Sequence, residues 1–180
     1  MTKVINFFAG PGAGKTTLAA KLFGYMKELR YNVEYVPEFA KDLVWDRDFD
    51  TLNDQLYVSI VQHHWQYRLL DQVDYIITDS PLLLGIHYME YGNKKFKYSE
   101  QWKLCFYELI HDTFRMYDNI NFFVDRKDRK YIHAGRNETE EQSIEIDNDI
   151  LTLLQEYHYN TISTFDNVLN QLKIEEVLHD

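Results

Sequence analysis

The chain has 180 residues, of which 45% are hydrophobic and 27% charged, and its formal net charge at pH 7 is -10. This length and apolar content suit one domain, residues 1–180, with a substantial core. The negative charge disfavours nucleic acid as a partner, because duplex binding needs a broad basic surface. No segment approaches the roughly 20 apolar residues needed to span a bilayer, so we expect no membrane partner.

The first motif lies directly after an apolar amino-terminal run. Residues 4–8 predict a strand, and the apolar spacing from Leu18 to Leu29 predicts a helix. Between them, residues 9–17 read A-G-P-G-A-G-K-T-T. The glycines let successive backbone N–H groups turn towards an anion, and the helix adds its positive amino-terminal end. This order predicts a Walker A phosphate loop, with Ala9 where the motif usually has glycine.

The loop residues have separate predicted roles. We expect Lys15 to contact the outer phosphates of a nucleoside triphosphate, and the Thr16 hydroxyl to ligate a bridging Mg2+. ATP is the expected nucleotide, and GTP is not excluded. The predicted nucleotide-binding residues are Gly10, Gly12, Ala13, Gly14, Lys15, Thr16 and Thr17.

Two acidic residues are predicted at the ends of strands. Glu38 lies between a predicted strand at 32–36 and a predicted short helix at 39–45, and Asp79 follows a predicted strand at 75–78. Ligands of open parallel sheets bind at the carboxyl ends of strands. We therefore expect Glu38 to accept a proton from a substrate hydroxyl, and Asp79 with Thr16 to hold Mg2+. The alternative for Glu38 is a carboxylate that only stabilises the start of the short helix.

Two longer helices are predicted to serve packing. The first spans 51–73 and begins with a capping box of Thr51 and Asp54. Gln62 and Gln66 lie one turn apart on one of its faces, where they are expected to be exposed or, as the alternative, to reach a base or amide edge. The second begins at Ser99. A buried Cys105 is expected in it, and one cysteine without a partner fits a reducing compartment, so we expect a cytoplasmic protein. The predicted core stripes are Leu52, Leu56, Ile60, Val61, Trp65, Leu69 and Val73 in the first helix, and Trp102, Phe106, Leu109, Ile110 and Phe114 in the second.

The most polar stretch follows a fourth predicted strand at 120–124. Its arginines suit phosphate oxygens, because the guanidinium group forms a planar fork. We expect Arg126, Arg129 and Arg136 to form a lid, approximately 126–137, that closes over a bound triphosphate. A solvated helix with alternating charges is the alternative for 126–130. The remaining predicted elements are a helix at 137–157, a strand at 159–163 and a helix at 167–178.

Together these stretches resemble the P-loop kinases of nucleoside-type substrates. The stretches that carry the resemblance are A-G-P-G-A-G-K-T-T, V-P-E-F-A-K-D, T-D-S-P and the A-G-R of the lid. The chain is similar both to deoxyribonucleoside kinases and to the nicotinamide riboside kinase group that shares an AAA-type ATPase profile. The resemblance implies an α/β P-loop NTPase fold of three layers, in which a five-stranded, mostly parallel sheet has helices on both faces.

The family motifs match this sequence only in part. In deoxyribonucleoside kinases a glutamate after the second strand, in an E-P-x-x-x-W-like context, serves as the base, whereas here the proline precedes Glu38 and Trp45 follows it. Those kinases carry an acidic-Arg-Ser triplet after the third strand, where this chain reads D-S-P at 79–81. The lid of the riboside-kinase group resembles D-G-x-R, for which residues 134–136 are a loose counterpart.

The resemblance implies transfer of the γ-phosphoryl group of ATP to a hydroxyl of a nucleoside- or nucleotide-like small molecule, with Mg2+. One alternative is a kinase of a hydroxymethylated or terminal nucleotide in DNA, for which Lys94, Lys95 and Lys97 would add a local basic groove beside Arg126. Another is an ATP-driven switch or partner-binding module without an acceptor. The sequence leaves the acceptor and the oligomeric state open, and a homodimer is compatible with it.

Overall fold

The computed structural model describes residues 2–91, 98–127, 131 and 138–174. The strands in these residues are β1 (Lys3–Phe8), β2 (Val33–Val36), β3 (Tyr75–Thr78), β4 (Asp118–Val124) and β5 (Asn160–Ile162). They form one five-stranded sheet in the order β2-β3-β1-β4-β5. Every neighbouring pair is parallel. The predicted α/β fold class is confirmed.

Helices cover the sheet on both faces. In the described residues they are α1 (Lys15–Glu28), α2 (Phe39–Asp46), α3 (Phe49–Leu52), α4 (Gln55–Tyr67), α5 (Leu84–Tyr91), α6 (Glu100–Arg115), α7 (Glu140–Leu154) and α8 (Phe165–Ile174). α1 contacts α8, whereas α5 contacts α4, α6 and α7. The sheet is therefore the middle of three layers. Among the described residues, no helix has the length and apolar content that a membrane span needs.

The central strand β1 is buried because helices cover both faces of the sheet. Its apolar side chains are fully buried, as is typical of parallel sheets. These are Val4, Ile5, Phe7 and Phe8. The parallel register brings the carboxyl ends of the strands to one edge. The segments at this edge are 9–17, 37–39, 79–81 and 125–127.

The region predicted as one helix at 51–73 contains two. Asp48 caps α3 by accepting a hydrogen bond from the Thr51 N–H, and Asp54 caps α4 in the same way. The predicted capping box of Thr51 and Asp54 is therefore wrong. The short side chain of an aspartate can accept a hydrogen bond from the free N–H groups at the start of a helix. Because the region contains two such caps, two separate helices begin there.

The buried face of α4 also differs from the predicted one. Ile60, predicted in the core, is 54% exposed. Other members of the predicted stripe are partly buried and pack against the core, namely Leu56, Trp65, Leu69 and Val73. The most deeply buried face of α4 is nevertheless largely polar. The buried residues of α4 are Gln55, Val58, Ser59, Gln62 and Gln66. The expectation that Gln62 and Gln66 are exposed is therefore wrong.

The predicted start of α6 is confirmed, because the Ser99 hydroxyl accepts a hydrogen bond from the Trp102 N–H at 3.1 Å. The buried members of its predicted stripe are Phe106, Ile110 and Phe114. Leu109 and Cys105 are exposed, so their predicted burial is wrong. Each of them directly precedes a buried residue of the stripe, and a step of one residue around the helix turns a side chain from the core to the solvent.

The start of α7 is set by Thr139, whose side chain forms a reciprocal capping box with Gln142. Asn137, predicted to begin this helix, lies outside the described residues. The last helix begins at Phe165 instead of Asn167. Its predicted end at 178 also lies outside the described residues.

Candidate functional site

The phosphate loop, residues 9–17, connects β1 to α1 as predicted. Gly12 and Gly14 have φ angles of 87° and 98°, in the left-handed region that favours glycine. Gly14 directly precedes the first turn of α1, so the loop leads into a helix amino terminus. The N–H groups of that turn and of the loop give this edge of the sheet the capacity to bind an anion.

The side chain of Lys15 folds back over the loop. Its ammonium donates hydrogen bonds to the carbonyls of Ala9 at 2.7 Å and Gly10 at 3.2 Å, and the residue is 8% exposed. Both acceptors belong to the loop, so the ammonium stays beside the amides that would bind phosphate. A phosphate there would compete with the two carbonyls for this ammonium.

Asp79 is buried at the carboxyl end of β3, where the sequence predicts it. One carboxylate oxygen accepts a hydrogen bond from the Thr16 hydroxyl. The other accepts a hydrogen bond from the Tyr35 hydroxyl at 2.8 Å. The structure thus brings together the two residues of the predicted metal site.

Tyr35 is a site residue that sequence reasoning missed. It pairs with Ile77 of β3, close to the end of that strand and therefore close to Asp79. Burial, together with the negative charge of Asp79, raises the pKa of the Tyr35 hydroxyl, so the hydroxyl keeps its proton and remains a donor. The sequence signal that could have identified Tyr35 was its position near the end of the strand that leads to Glu38.

Thr16 and Asp79 form a pair of oxygen ligands that suits a hard cation such as Mg2+. Within the described part of the chain, no group of three or more His, Cys, Asp or Glu side chains could hold a metal ion by itself. Mg2+ in nucleotide sites is usually bound by one or two carboxylates together with substrate phosphates. The residues present therefore fit an Mg2+ ion that binds with a nucleotide, and this site stays a prediction.

We expect Tyr35→Phe to weaken Mg2+-dependent ATP binding about tenfold and to leave the fold intact. The variant removes the hydrogen bond to Asp79 but keeps the ring, which packs against Phe23 with 6.2 Å between centroids. Among the side chains that the structure describes, Thr16 would then remain as the hydrogen-bond partner of the Asp79 carboxylate, and Thr16 must also meet the metal. Calorimetric ATP titrations with and without Mg2+ measure the effect, with exposed Tyr67→Phe as the control. Equal Mg2+ dependence in the parent and Tyr35→Phe would contradict a positioning role.

Glu38 lies between β2 and α2, on the same edge of the sheet as Asp79 and the phosphate loop. It occupies the N-cap position of α2, but its carboxylate makes no hydrogen bond to the first N–H groups of that helix, all of which are described. Burial raises the pKa of Glu38; the positive charge of Lys15 opposes this rise, and the negative charge of Asp79 adds to it. Lys15 and Glu38 line the same cavity, and Asp79 lies beside it at the end of β3.

Gln62 fixes the backbone on both sides of Glu38. Its amide donates a hydrogen bond to the Pro37 carbonyl at 3.0 Å, and its side-chain oxygen accepts one from the Phe39 N–H at 3.2 Å. Gln62 is 3% exposed and is therefore a structural support for the site. The available sequence signal was that Gln62 and Gln66 lie one turn apart on the same face of α4.

These groups border a cavity of about 690 Å3. It extends from the phosphate loop along α2, α3, α4 and α5, and its size is that of a small-molecule site. Lys15, Thr16 and Glu38 line it beside the loop, and the helices add both apolar and polar side chains. The larger apolar side chains of the lining are Val44, Phe49, Leu52, Val58, Leu82 and Leu84, and its amides and hydroxyls include Asn53, Gln55, Ser59, Gln62 and Ser80.

Arg126 follows β4, as predicted, but it is not among the described residues that line the cavity. Its guanidinium donates to the Asp147 carboxylate at 2.5 Å, to the Pro11 carbonyl at 3.1 Å and to the Ser143 carbonyl at 2.9 Å. The structure thus places this arginine against the phosphate loop and α7. The other basic residues of the predicted lid and groove lie outside the described residues: Arg129, Arg136, Lys94, Lys95 and Lys97.

The parallel sheet and the glycine-rich loop between β1 and α1 define a protein with the P-loop fold. A family model described as an AAA domain matches residues 4–168. The chain therefore belongs to this AAA-domain family. A comparison of the sequence with curated proteins finds no match.

Solved structures share the fold at low sequence identity. The NadR protein in complex with NR is 16% identical with a TM-score of 0.68, and the match covers 91% of this chain and 46% of that chain. The chain thus spans about half the length of NadR. Deoxyadenosine kinase from M. mycoides with bound dATP is 15% identical with a TM-score of 0.55, covering 96% of this chain and 100% of that chain. The same kinase with the products dCMP and a flexible dCDP bound is 16% identical with a TM-score of 0.55, covering 95% and 99%.

Proposed function

We propose that the chain is an Mg2+-dependent kinase that transfers the γ-phosphoryl group of ATP to a hydroxyl of a nucleoside-like small molecule. The observation that carries the proposal is one cavity that Glu38 and Lys15 both line and that continues beyond them along α2, α3, α4 and α5. Nucleotide binding alone needs neither this carboxylate nor this space. Phosphoryl transfer needs both, because the acceptor must be held in line and must lose a proton.

Positioning and charge neutralisation supply most of the catalysis in such a transfer. The loop amides and Lys15 would hold the phosphates of the donor. The acceptor hydroxyl would bind at Glu38, which takes its proton as the oxygen bonds to the γ-phosphorus, and ADP leaves with the bridging oxygen. Mg2+ at Thr16 and Asp79 neutralises phosphate charge when it is bound.

The chemistry of the cavity favours a nucleoside over a nucleotide as the acceptor. Its described lining contains Lys15 and Lys41 as cations, Glu38 and Glu138 as anions, and no arginine. With Lys15 assigned to the donor, Lys41 shares this lining with two carboxylates, which would repel a phosphate dianion on the acceptor. The mixture of apolar and amide side chains in the lining suits the faces and the polar edge of a base. Of the structures that share the fold, one contains NR and another contains dCMP as a product, which agrees with a nucleoside-type acceptor.

A second cavity, of about 370 Å3, suits the base of the donor nucleotide. It lies at the carboxyl ends of β4 and β5, and β4 is the neighbour of β1 in the sheet. The cavity therefore lies at the same edge of the sheet as the phosphate loop, on the side of β1 away from β3 and Asp79. Asn170 and Gln171 line it and offer amide donors and acceptors to a purine.

The test is a transfer assay with γ-labelled ATP and Mg2+. The acceptor panel contains ribo- and deoxyribonucleosides, nicotinamide riboside, nucleoside monophosphates and single-stranded DNA with terminal or hydroxymethylated nucleotides. We expect label in a nucleoside and not in the monophosphates or DNA. Label in DNA alone would mean that the acceptor is nucleic acid and not a small molecule. Release of labelled phosphate at one rate with and without every acceptor would overturn the kinase proposal in favour of a switch.

A further inference from the structure

Three segments that are distant in the sequence meet at the first half of the phosphate loop. Asp147 of α7 accepts hydrogen bonds from the Gly10 N–H at 2.6 Å and from Arg126 Nε at 2.5 Å. Arg126 also donates to the carbonyls of Pro11 at 3.1 Å and Ser143 at 2.9 Å. These five residues, here called the Asp147 cluster, connect the loop to the end of β4 and to α7.

The Asp147 cluster is mostly buried and closely packed. The side chains of Arg126 and Asp147 are 14% and 13% exposed. A Cβ atom added at Gly10 would lie 2.4 Å from the Ser143 carbonyl oxygen, so α7 packs directly on the loop backbone. Removing one partner from such a buried ion pair leaves an uncompensated charge, which makes the arrangement hard to disturb.

We propose that Asp147 is a positioning residue for nucleotide binding, because it holds Gly10 and, through Arg126, Pro11 in the shape that receives a triphosphate. Lys15 cannot hold the loop in the nucleotide-bound state. Its ammonium binds the carbonyls of Ala9 and Gly10 in the structure and must leave them to reach a phosphate. The hydrogen bonds of the Asp147 cluster do not involve Lys15, so they persist when the lysine moves.

This assignment changes the expected role of Arg126. The sequence predicts a lid arginine that contacts the transferring phosphoryl group. In the structure its guanidinium donates to three protein acceptors, and it acts on the nucleotide through the loop. The inference rests on the proposed function only for the binding of ATP, and it does not depend on any acceptor.

Calorimetric titration of ATP, with Mg2+, into the full chain tests the assignment. We expect Asp147→Asn to weaken ATP binding about tenfold, because hydrogen bonds from Gly10 and Arg126 lose their charged acceptor. Arg126→Ala should have a similar effect. The double variant should bind no more weakly than the weaker single variant, since both changes remove the same cluster. Glu145→Gln, exposed on the same helix, is the matched control, and circular dichroism checks that each variant is folded.

Two results would overturn the assignment. Parent-like ATP affinity in folded Asp147→Asn would show that the loop does not need the carboxylate. Additive losses in the double variant would show that Arg126 meets the nucleotide independently of Asp147. If Asp147→Asn does not fold, Arg126→Lys replaces it, because lysine keeps the charge but cannot reach three acceptors. Parent-like affinity in that variant would also count against the assignment. Because the readout is binding, an absence of phosphoryl transfer would refute the kinase proposal alone.

Discussion

Lys15→Ala is expected to lower phosphoryl transfer at least about 100-fold and to weaken ATP binding. In the structure the ammonium is already held beside the loop amides by the carbonyls of Ala9 and Gly10. It therefore needs only to exchange these acceptors for phosphate oxygens. The residue is 8% exposed, and a charge that is shielded from water interacts more strongly than one in bulk solvent. Alanine removes that charge at the place where the donor phosphates would bind.

Initial rates with γ-labelled ATP and the best acceptor of the panel measure the Lys15→Ala effect. Lys21→Ala is the matched control, because Lys21 is an exposed lysine on the same helix. We expect this control to keep the parent rate. Parent-like turnover in folded Lys15→Ala protein would mean that residues 9–17 are not the phosphate site.

The carboxyl edge of the sheet could be predicted because each of its residues adjoins a strong local signal. Glycines mark the loop, Pro37 ends β2 just before Glu38, and a short apolar strand ends at Asp79. The carboxyl ends of strands in a parallel sheet meet at one edge. Proximity in space therefore follows from local patterns, and the structure confirms that Thr16 and Asp79 are in contact.

The inward face of α4 could not be predicted from spacing. Residues of the apolar stripe, such as Leu56 and Ile60, and of the polar stripe, such as Gln55 and Gln62, both recur at helical intervals. Hydrophobicity alone favours the first stripe. Gln62 is buried because it binds the backbone beside Glu38, which satisfies its amide. That contact with the end of β2 is tertiary, and no local pattern contains it.

The position of Arg126 also depends on distant partners. A polar run after a strand is typical of a solvated or phosphate-binding segment, and Asp147 lies in an ordinary charged helix. The sheet order puts β4 beside β1, and this order brings Arg126 to the loop. The resemblance implied a five-stranded, mostly parallel sheet, but it gave neither the order of the strands nor the side chains that meet there.

Glu38→Gln is expected to lower transfer about 100-fold or more at saturating substrates, while ATP still binds. The amide keeps the size of the side chain but cannot take a proton. Gln62 holds the backbone at 37 and 39 independently of this side chain, so the change stays local. Glu28→Gln, at the exposed end of α1, is the matched control. Unchanged turnover in Glu38→Gln would show that Glu38 is not the base.

The pH dependence of transfer gives a second measure of the same group. Because burial raises the pKa of Glu38, the acid limb of kcat/KM should lie above the usual carboxyl value of 4.5. Transfer falls as the pH drops through the raised pKa, since a protonated Glu38 cannot accept a proton. Glu38→Gln should lack this limb in its residual activity. A limb with an unchanged midpoint in the variant would assign the titration to another group.

The pH dependence of the free energy of unfolding distinguishes a catalytic Glu38 from a Glu38 that only stabilises the fold. A carboxyl whose pKa is raised on folding holds its proton more tightly in the folded chain, so stability is lost as the pH rises from 4.5 through the raised pKa. Glutamine has no charge to bury. Thermal unfolding should therefore show Glu38→Gln to be more stable than the parent at neutral pH, with the two converging in acid. A carboxylate that stabilises the start of α2 would give the opposite sign at neutral pH. If Glu38→Gln loses turnover and gains stability, the charge of Glu38 serves the reaction at a cost to the stability of the fold.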